Sequence, residues 1–110
     1  MSTQKILEAV QSWFNQDKHI GLKLPSGWFG RPYDNHHQLT FSTSRPHKLI
    51  LELDQQLYLI FTEPEGAYIE DDELVITGFK QLVFDRQGYG DMQCHAEVFS
   101  AGEVRFPLAW

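Results

Sequence analysis

The feature that most constrains the fold of this chain is the alternation of apolar and polar residues after residue 38. Successive side chains of a β-strand point to opposite faces, so alternation with period two is typical of a strand with one buried face. The alternating runs are short and separated by turn residues, and the helical crossovers that parallel strands require are missing between them. Over residues 20–110 the sequence therefore predicts a mostly antiparallel, curved β-sheet of about six or seven strands, arranged as a meander or half-barrel.

One pair of alternating runs is predicted to form a hairpin near the middle of the chain. Residues 49–53 and 57–61 alternate in phase, and residues 54–56 between them are short enough for a tight loop. This register places Leu53 opposite Leu57. Both faces of the hairpin carry apolar residues, which favours a central position in the sheet with cover on each side.

A second hairpin is predicted near the end of the sequence. Residues 100–102 end in glycine and fit a three-residue loop that joins two alternating runs. The register places Val98 opposite Val104 and Glu97 opposite Arg105, which pairs apolar with apolar and acid with base. One face of the first strand then turns to the core, and it consists of Met92, Cys94, Ala96 and Val98.

Residues 3–17 carry a helical periodicity. Apolar side chains recur at the spacing of one helical face, and the positions between them are polar. The apolar stripe consists of Ile6, Leu7, Val10, Trp13 and Phe14. A stripe with two large aromatic rings needs a broad apolar surface, and the predicted sheet provides one. We therefore expect a single α+β domain over residues 1–110, in which an N-terminal amphipathic helix packs on the sheet.

Composition and charge disfavour several classes of protein. The net charge of -6 disfavours binding to nucleic acid, because an acidic surface repels the phosphate backbone. No apolar run approaches the ~20 residues of a membrane-spanning helix, and the first residues do not resemble a secretory signal. The single cysteine, Cys94, has no partner for an internal disulfide and fits a reducing compartment. The sequence thus predicts a soluble, cytoplasmic protein with neither a membrane nor a nucleic-acid partner.

Acidic residues concentrate in two neighbouring turns of the predicted sheet. Glu63 and Glu65 occupy the first turn, and residues 70–73 form the second. Charge runs of this kind are usually solvated turns, which is the interpretation we favour. The alternative is a cation site or a surface for a basic partner.

The segment 27–37 has the composition of an ordered loop that carries a contact surface. It combines aromatic rings with glycine, proline, arginine and two adjacent histidines, a mixture that suits neither a regular helix nor a strand. Trp, Tyr and Arg are enriched in binding interfaces, although large aromatic rings also fill cores. The candidate contact residues are Trp28, Phe29, Arg31, Tyr33, Asp34, His36 and His37. We interpret the chain as a non-catalytic binding module that contacts a protein partner or associates with itself as a homodimer.

A small enzyme, or a binder of a small ligand or metal, is the alternative interpretation. Asp34, His36 and His37 carry groups that transfer protons or coordinate metals. His95 and Glu97 lie on one face of a predicted strand and would complete such a site if the two regions converge. However, adjacent strand residues point to opposite faces, and the sequence has no common zinc-ligand spacing. No metal or cofactor is therefore predicted.

Overall fold

The computed structural model describes residues 3–14, 19–29, 37–86 and 95–107, which form one helix and ten β-strands. The elements are α1 (Thr3–Phe14), β1 (Lys23–Leu24), β2 (Gly27–Trp28), β3 (Leu39–Arg45), β4 (Lys48–Leu53), β5 (Leu57–Thr62), β6 (Gly66–Glu70), β7 (Glu73–Thr77), β8 (Gln81–Arg86), β9 (His95–Phe99) and β10 (Glu103–Phe106). The predicted helix is confirmed from residue 3 to residue 14, and residues 15–17 of the predicted range lie outside the described residues.

In the described part of the chain the strands form two antiparallel sheets of five strands each. The first sheet has the order β3-β4-β5-β8-β9, and the second sheet has the order β2-β1-β10-β7-β6. The predicted α+β class is confirmed, because an N-terminal helix packs on antiparallel sheet. The division into two sheets, with ten strands rather than about six or seven, differs from the single curved sheet that we expected.

Sharp bends in three long strands explain why the pairing divides into two sheets. β5 continues into β6, β7 into β8 and β9 into β10, and each passes from one sheet to the other across a few residues. The bends lie at residues 63–65, 78–80 and 100–102, side by side, because the strands that flank them are paired. Each bend contains a residue with positive φ, at 48° for Glu63, 75° for Gly78 and 120° for Gly102. The predicted curvature is therefore concentrated at one corner.

Two of the bends require glycine for space as well as for conformation. A Cβ atom added at Gly78 would lie 2.6 Å from Cβ of Glu65, inside van der Waals contact. A Cβ atom at Gly102 would lie 2.8 Å from Cβ of Pro25, so this bend packs against the turn between β1 and β2. Positive φ is also unfavourable for residues that carry a Cβ. Both positions therefore favour glycine.

The apolar stripe of α1 is buried and shares one core with the two sheets. The ring of Phe14 contacts the ring of Phe106 in the second sheet edge-on, with 5.7 Å between centroids. The helix lies against β3 and β4 of the first sheet and against β6 of the second. Its polar side also bonds to the edge strand β3, where the Ser44 hydroxyl donates to Gln4 Oε1 at 2.9 Å. α1 therefore closes the side of the molecule where β3 and β6 form the sheet edges.

The hairpin of β4 and β5 has the predicted register, with Leu53 opposite Leu57. Asp54 and Gln55 have φ of 54° and 62°, as the two central residues of a type I′ turn do. The N–H of Gln56 closes the turn by donating to the Leu53 carbonyl at 3.1 Å. β4 and β5 lie inside the first sheet rather than at its edge, which agrees with their apolar faces.

The predicted C-terminal hairpin is wrong. β9 pairs with β8 in the first sheet, and β10 pairs with β7 and β1 in the second, so the predicted cross-strand pairs do not form. Glu97 lies opposite the buried Phe84, and Val98 is 60% exposed, which reverses the predicted orientation of this strand. Residues 100–102 make a bend between two sheets rather than a hairpin turn. The local sequence is compatible with both structures and does not distinguish the bend from the turn. Two members of the predicted core face lie outside the described residues, Met92 and Cys94.

Candidate functional site

The segment 27–37, predicted as a contact surface, is described at its two ends. Gly27 and Trp28 form β2, Phe29 follows them, and His37 marks the other end. The remaining candidate contact residues lie outside the described residues, and they are Arg31, Tyr33, Asp34 and His36. Their contribution to a contact surface stays a prediction.

Both described ends of the segment bond to the short stretch of chain that leads into β1. The N–H of Phe29 donates to the Leu22 carbonyl at 2.9 Å. His37 exchanges two backbone hydrogen bonds with Ile20, of 2.8 Å and 3.0 Å. The rings of Phe29 and His37 consequently lie close, with 5.8 Å between centroids. Phe29 and His37, at the two described ends of the segment, therefore lie next to each other.

His37 is held inside the protein by Asp54, a residue that the sequence identified only as part of a turn. The imidazole is 3% exposed, and its Nδ1 lies 2.5 Å from Asp54 Oδ2. The other carboxylate oxygen accepts from the Gln38 N–H at 2.9 Å, and the Asp54 N–H donates to the Gln38 carbonyl at 3.0 Å. His37 therefore anchors the end of the segment to the β4–β5 turn. No local pattern signals a contact between residues 37 and 54.

Trp28 and Phe29 lie in different environments, although they are adjacent. Phe29 is half-buried and packs on the core, with its ring edge-on to Phe84 at 5.0 Å between centroids. Trp28 is 41% exposed, and Lys23 Nζ lies 5.8 Å from the centre of its ring. Among the described candidates, Trp28 is thus the one that presents a large side chain to the surface.

The strand register aligns Trp28 with residues from the other four strands of the second sheet. Adjacent pairs in this row, which we call the outer row, are Trp28–Lys23, Lys23–Arg105, Arg105–Val75 and Val75–Tyr68. Directly paired residues share a face, and this face is opposite to the one on which Phe106 and Val104 enter the core. With about 4.8 Å between strands, the row spans roughly 19 Å and ends at an exposed ring on each side.

Arg105, at the centre of the outer row, is surrounded by carboxylates. Its Nε lies 2.9 Å from Glu103 Oε1, its Nη1 3.0 Å from Glu73 Oε2 and its Nη2 3.7 Å from Glu70 Oε1. Hydrogen bonds to Glu103 and then Glu73 raise the pKa of Arg105 further above its ordinary value. Part of the acidic run 70–73 is therefore engaged with a cation of the same chain.

The other acidic turn also forms ion pairs within the chain. Glu63 Oε2 lies 2.6 Å from Lys80 Nζ, and Glu63 Oε1 lies 3.5 Å from His47 Nδ1. The hydrogen bond from Lys80 and its charge lower the pKa of Glu63, and the same contact raises the pKa of Lys80. In the described ranges, no group of three or more His, Cys, Asp or Glu side chains is placed to hold a metal ion.

The residues of the alternative site are placed only in part. Glu97 lies opposite Phe84, whose ring contacts Phe29, so β9 runs past the part of the core that Phe29 contacts. His37 is already tied to Asp54. The backbone of His95 lies in β9, whereas Asp34 and His36 fall outside the described residues. Convergence of these side chains stays a prediction.

Comparisons with protein-family models, with curated proteins and with solved structures gave no significant match. Within the described residues, no helix has the length and apolar character needed to cross a membrane. The geometry of the molecule is therefore the basis for the functional proposal.

Proposed function

We propose that this chain is a small, non-catalytic protein-binding module whose contact surface begins at Trp28 and includes the segment 27–37. One observation carries the proposal: Trp28 is 41% exposed, while its neighbour Phe29 and the far end of the segment, His37, are fixed in the core. Segments whose two ends lie side by side on a rigid scaffold often carry function. In this proposal the anchored ends position the surface, and the residues that belong to it with Trp28 are Arg31, Tyr33, Asp34 and His36.

The outer row adds exposed side chains of the second sheet to the proposed surface at its two ends, whereas Val75, within the row, is fully buried. Trp, Tyr and Arg contribute most of the binding energy at many protein interfaces, and the row contains Trp28, Arg105 and Tyr68. Arg105 is held by three carboxylates, so it loses little conformational freedom when a partner covers it. Both terminal rings, those of Trp28 and Tyr68, are exposed.

The proposed partner is a protein, either a second copy of this chain or another cytoplasmic protein. A cytoplasmic location is part of the proposal because one cysteine, Cys94, suits a reducing compartment. The acidic net charge of -6 disfavours nucleic acid as the partner.

The proposal is tested by comparing the tagged wild-type chain with Trp28→Ala and Tyr33→Ala variants. Each is crosslinked and purified from its native cells, and self-association is measured in parallel by sedimentation velocity. We expect Trp28→Ala to reduce recovery of a crosslinked partner, or association with a second copy, by about tenfold or more, as truncation of an interface aromatic does. The circular dichroism spectrum should stay unchanged, because Trp28 is at the surface.

Phe41→Ala is the matched control, because Phe41 is also a strongly exposed aromatic residue on an edge strand, but in the first sheet. It should associate like the wild-type chain. Equal association by Trp28→Ala and Phe41→Ala would contradict the proposal. Loss of the folded spectrum in Trp28→Ala would also contradict it, because Trp28 would then belong to the core.

A further inference from the structure

The first sheet has an apolar outward face, opposite to the face that it turns to the core. Leu51 and Leu59 are fully buried on the core side, and their neighbours along each strand point the other way. The strand register aligns one row of outward residues across all five strands, which we call the central row. Its adjacent pairs are Thr43–Ile50, Ile50–Ile60, Ile60–Val83 and Val83–Val98.

The apolar side chains of the central row are all reached by solvent. Ile50, Ile60 and Val83 are partly exposed, although each has a paired strand on both sides. Val98, on the edge strand β9, is 60% exposed. Four aliphatic side chains on neighbouring strands form a continuous apolar strip of roughly 14 Å, at about 4.8 Å between strands. A continuous strip is typical of an interaction surface, in contrast to scattered exposed residues.

Opposite charges lie on the two sides of the central row. The row on one side, which we call the acidic row, carries two carboxylates and consists of Phe41, Glu52, Tyr58 and Asp85. The row on the other side, the basic row, carries two cations and consists of Arg45, Lys48, Thr62 and Gln81. Each side of this face therefore attracts the opposite side of an identical face.

A second copy has two symmetric ways to cover this face with its strands aligned, because the two-fold axis lies between the sheets. If the axis runs across the strands, along the central row, the acidic row of each copy meets the basic row of the other. If the axis runs along the middle strand β5, then β4 lies over β8, and Glu52 meets Asp85. Like charges that meet across an interface cost free energy. The charges therefore select the first arrangement.

In the selected arrangement the apolar residues of the central row meet their own copies. Ile60 belongs to the middle strand, so it lies at the centre of the interface, with Ile50 and Val83 on either side. Each strand lies over its own copy in the opposite direction, and Glu52 of one copy therefore meets Lys48 of the other. The symmetry forms this charge pair twice, next to the centre.

The area of the face suits a reversible dimer. The first sheet has five strands, and its inner strands β4 and β5 have six residues each. At about 4.8 Å between strands and about 3.4 Å per residue, the face measures roughly 20 Å by 20 Å, on the order of 400–500 Å² in each copy. Two copies would bury about 1,000 Å², which is near the lower limit for a specific interface.

We propose that the outward face of the first sheet binds a second copy of this chain, in a two-fold dimer whose axis runs along the central row. Opposite charges set the orientation, and the central row supplies the apolar contact. The interface is separate from the proposed surface that begins at Trp28, which lies in the other sheet and stays accessible for another protein.

The first test is sedimentation equilibrium of the wild-type chain between about 5 µM and about 500 µM. We expect a dimer with a dissociation constant of about 10–100 µM. Ile60→Lys places two like charges at the centre and should weaken the dimer by about tenfold or more. Val98→Lys is a second variant at an exposed position of the same row and should also weaken it. The control is Ile69→Lys, because Ile69 is 60% exposed on an edge strand of the second sheet.

The second test exchanges charges to determine the orientation. Glu52→Lys and Lys48→Glu should each weaken the dimer by about tenfold, because like charges then meet. The double variant should return to within about twofold of the wild-type affinity, because opposite charges meet again. Circular dichroism and urea unfolding of each variant check that the chain is folded.

Four results would overturn the inference. They are a wild-type chain that is monomeric at about 500 µM, variants of Ile60 and Val98 that dimerise like Ile69→Lys, a stronger dimer with Glu52→Lys, and a double variant without recovery.

Failure of this inference is distinct from failure of the proposal for the Trp28 surface. Trp28→Ala should form the dimer like the wild-type chain, and Ile60→Lys should still be crosslinked to another protein partner. Phe41→Ala should also dimerise normally, because Phe41 lies at a corner of the face, where contacts contribute little to affinity. A dimer lost in Trp28→Ala but kept in Ile60→Lys would overturn the inference and assign self-association to the Trp28 surface.

Discussion

Asp54 binds the buried His37 through one carboxylate oxygen and the backbone N–H of Gln38 through the other. A single side chain in the β4–β5 turn thus fixes both the end of the segment 27–37 and the approach of the chain to β3. An ionised carboxylate accepts hydrogen bonds only, so the Nδ1 of His37 carries the donated proton. Loss of the carboxylate would leave the buried imidazole of His37 without this acceptor. Losing the acceptor of a buried donor lowers the free energy of unfolding more than losing a hydrogen bond at the surface does.

We therefore predict that Asp54→Ala lowers the free energy of unfolding by about 2–3 kcal/mol more than a matched control does. The control is Asp71→Ala, because Asp71 occupies the same first central position of a turn with similar φ, 51° against 54°. The carboxylate of Asp71 makes no ion pair with a described residue. Urea unfolding measures both variants. Equal losses would mean that Asp54 matters only through its backbone conformation.

The corner where three strands bend is predicted to depend on glycine. Gly78→Ala and Gly102→Ala place a Cβ atom 2.6 Å and 2.8 Å from a neighbouring carbon at positive φ. We expect each to lower the free energy of unfolding by about 2–3 kcal/mol, from strain and steric overlap. Gly66→Ala is the control, because its added Cβ meets nothing within 4 Å. A loss for Gly66→Ala as large as for the corner glycines would contradict this explanation.

The elements that sequence predicted correctly are those set by neighbouring residues. The stripe of α1 follows helical spacing, and all of its residues are buried. The turn at Asp54 and Gln55 is short. Given the alternation in β4 and β5 on its two sides, only one register buries the same face of both strands. In both cases the signal lies within a few residues of the structure it predicts.

The features that sequence did not predict depend on distant strands. The alternating residues of β9 allow either face of the strand to point to the core. Because β9 pairs with β8 rather than with β10, Glu97 shares a face with Phe84. The outer row exists because β1 inserts beside β10, which aligns Lys23 with Arg105. The pair of His37 and Asp54 likewise requires two segments brought together by the whole fold. Local periodicity carries no information about such neighbours.

The ion pair of Glu63 and Lys80 is predicted to make stability depend on pH. The contact lowers the pKa of Glu63 from 4.5, so its stabilisation is present above that pH and disappears as the pH falls through the lowered pKa. It raises the pKa of Lys80 from 10.5, so on the alkaline side the stabilisation persists to that pH and is lost as the pH rises through the raised pKa. Lys80→Gln should therefore be less stable than the wild-type chain near neutral pH.

Urea unfolding at about pH 7 and at progressively lower pH tests this dependence, because Glu63 is ionised in the first condition and becomes protonated as the pH falls through its lowered pKa. The stability difference between the wild-type chain and Lys80→Gln should shrink at the lower pH. Lys48→Gln removes the same charge from a lysine that has no ion pair with a described residue. A difference for Lys80→Gln that does not change with pH, or that matches Lys48→Gln throughout, would contradict the prediction.

Arg105 is predicted to stabilise the second sheet by separating like charges. Glu70 and Glu73 face each other across the β6–β7 turn, and Glu103 lies beside them. Arg105→Gln leaves these carboxylates to repel one another, so the midpoint of thermal unfolding should fall. Salt screens exposed charges, and the fall should be smaller in about 0.5 M NaCl than at low salt.

Lys23→Gln removes a cation opposite Arg105 and should change the midpoint little or raise it. A deficit for Arg105→Gln that is independent of salt would show that packing of the arginine stem, rather than charge, is responsible.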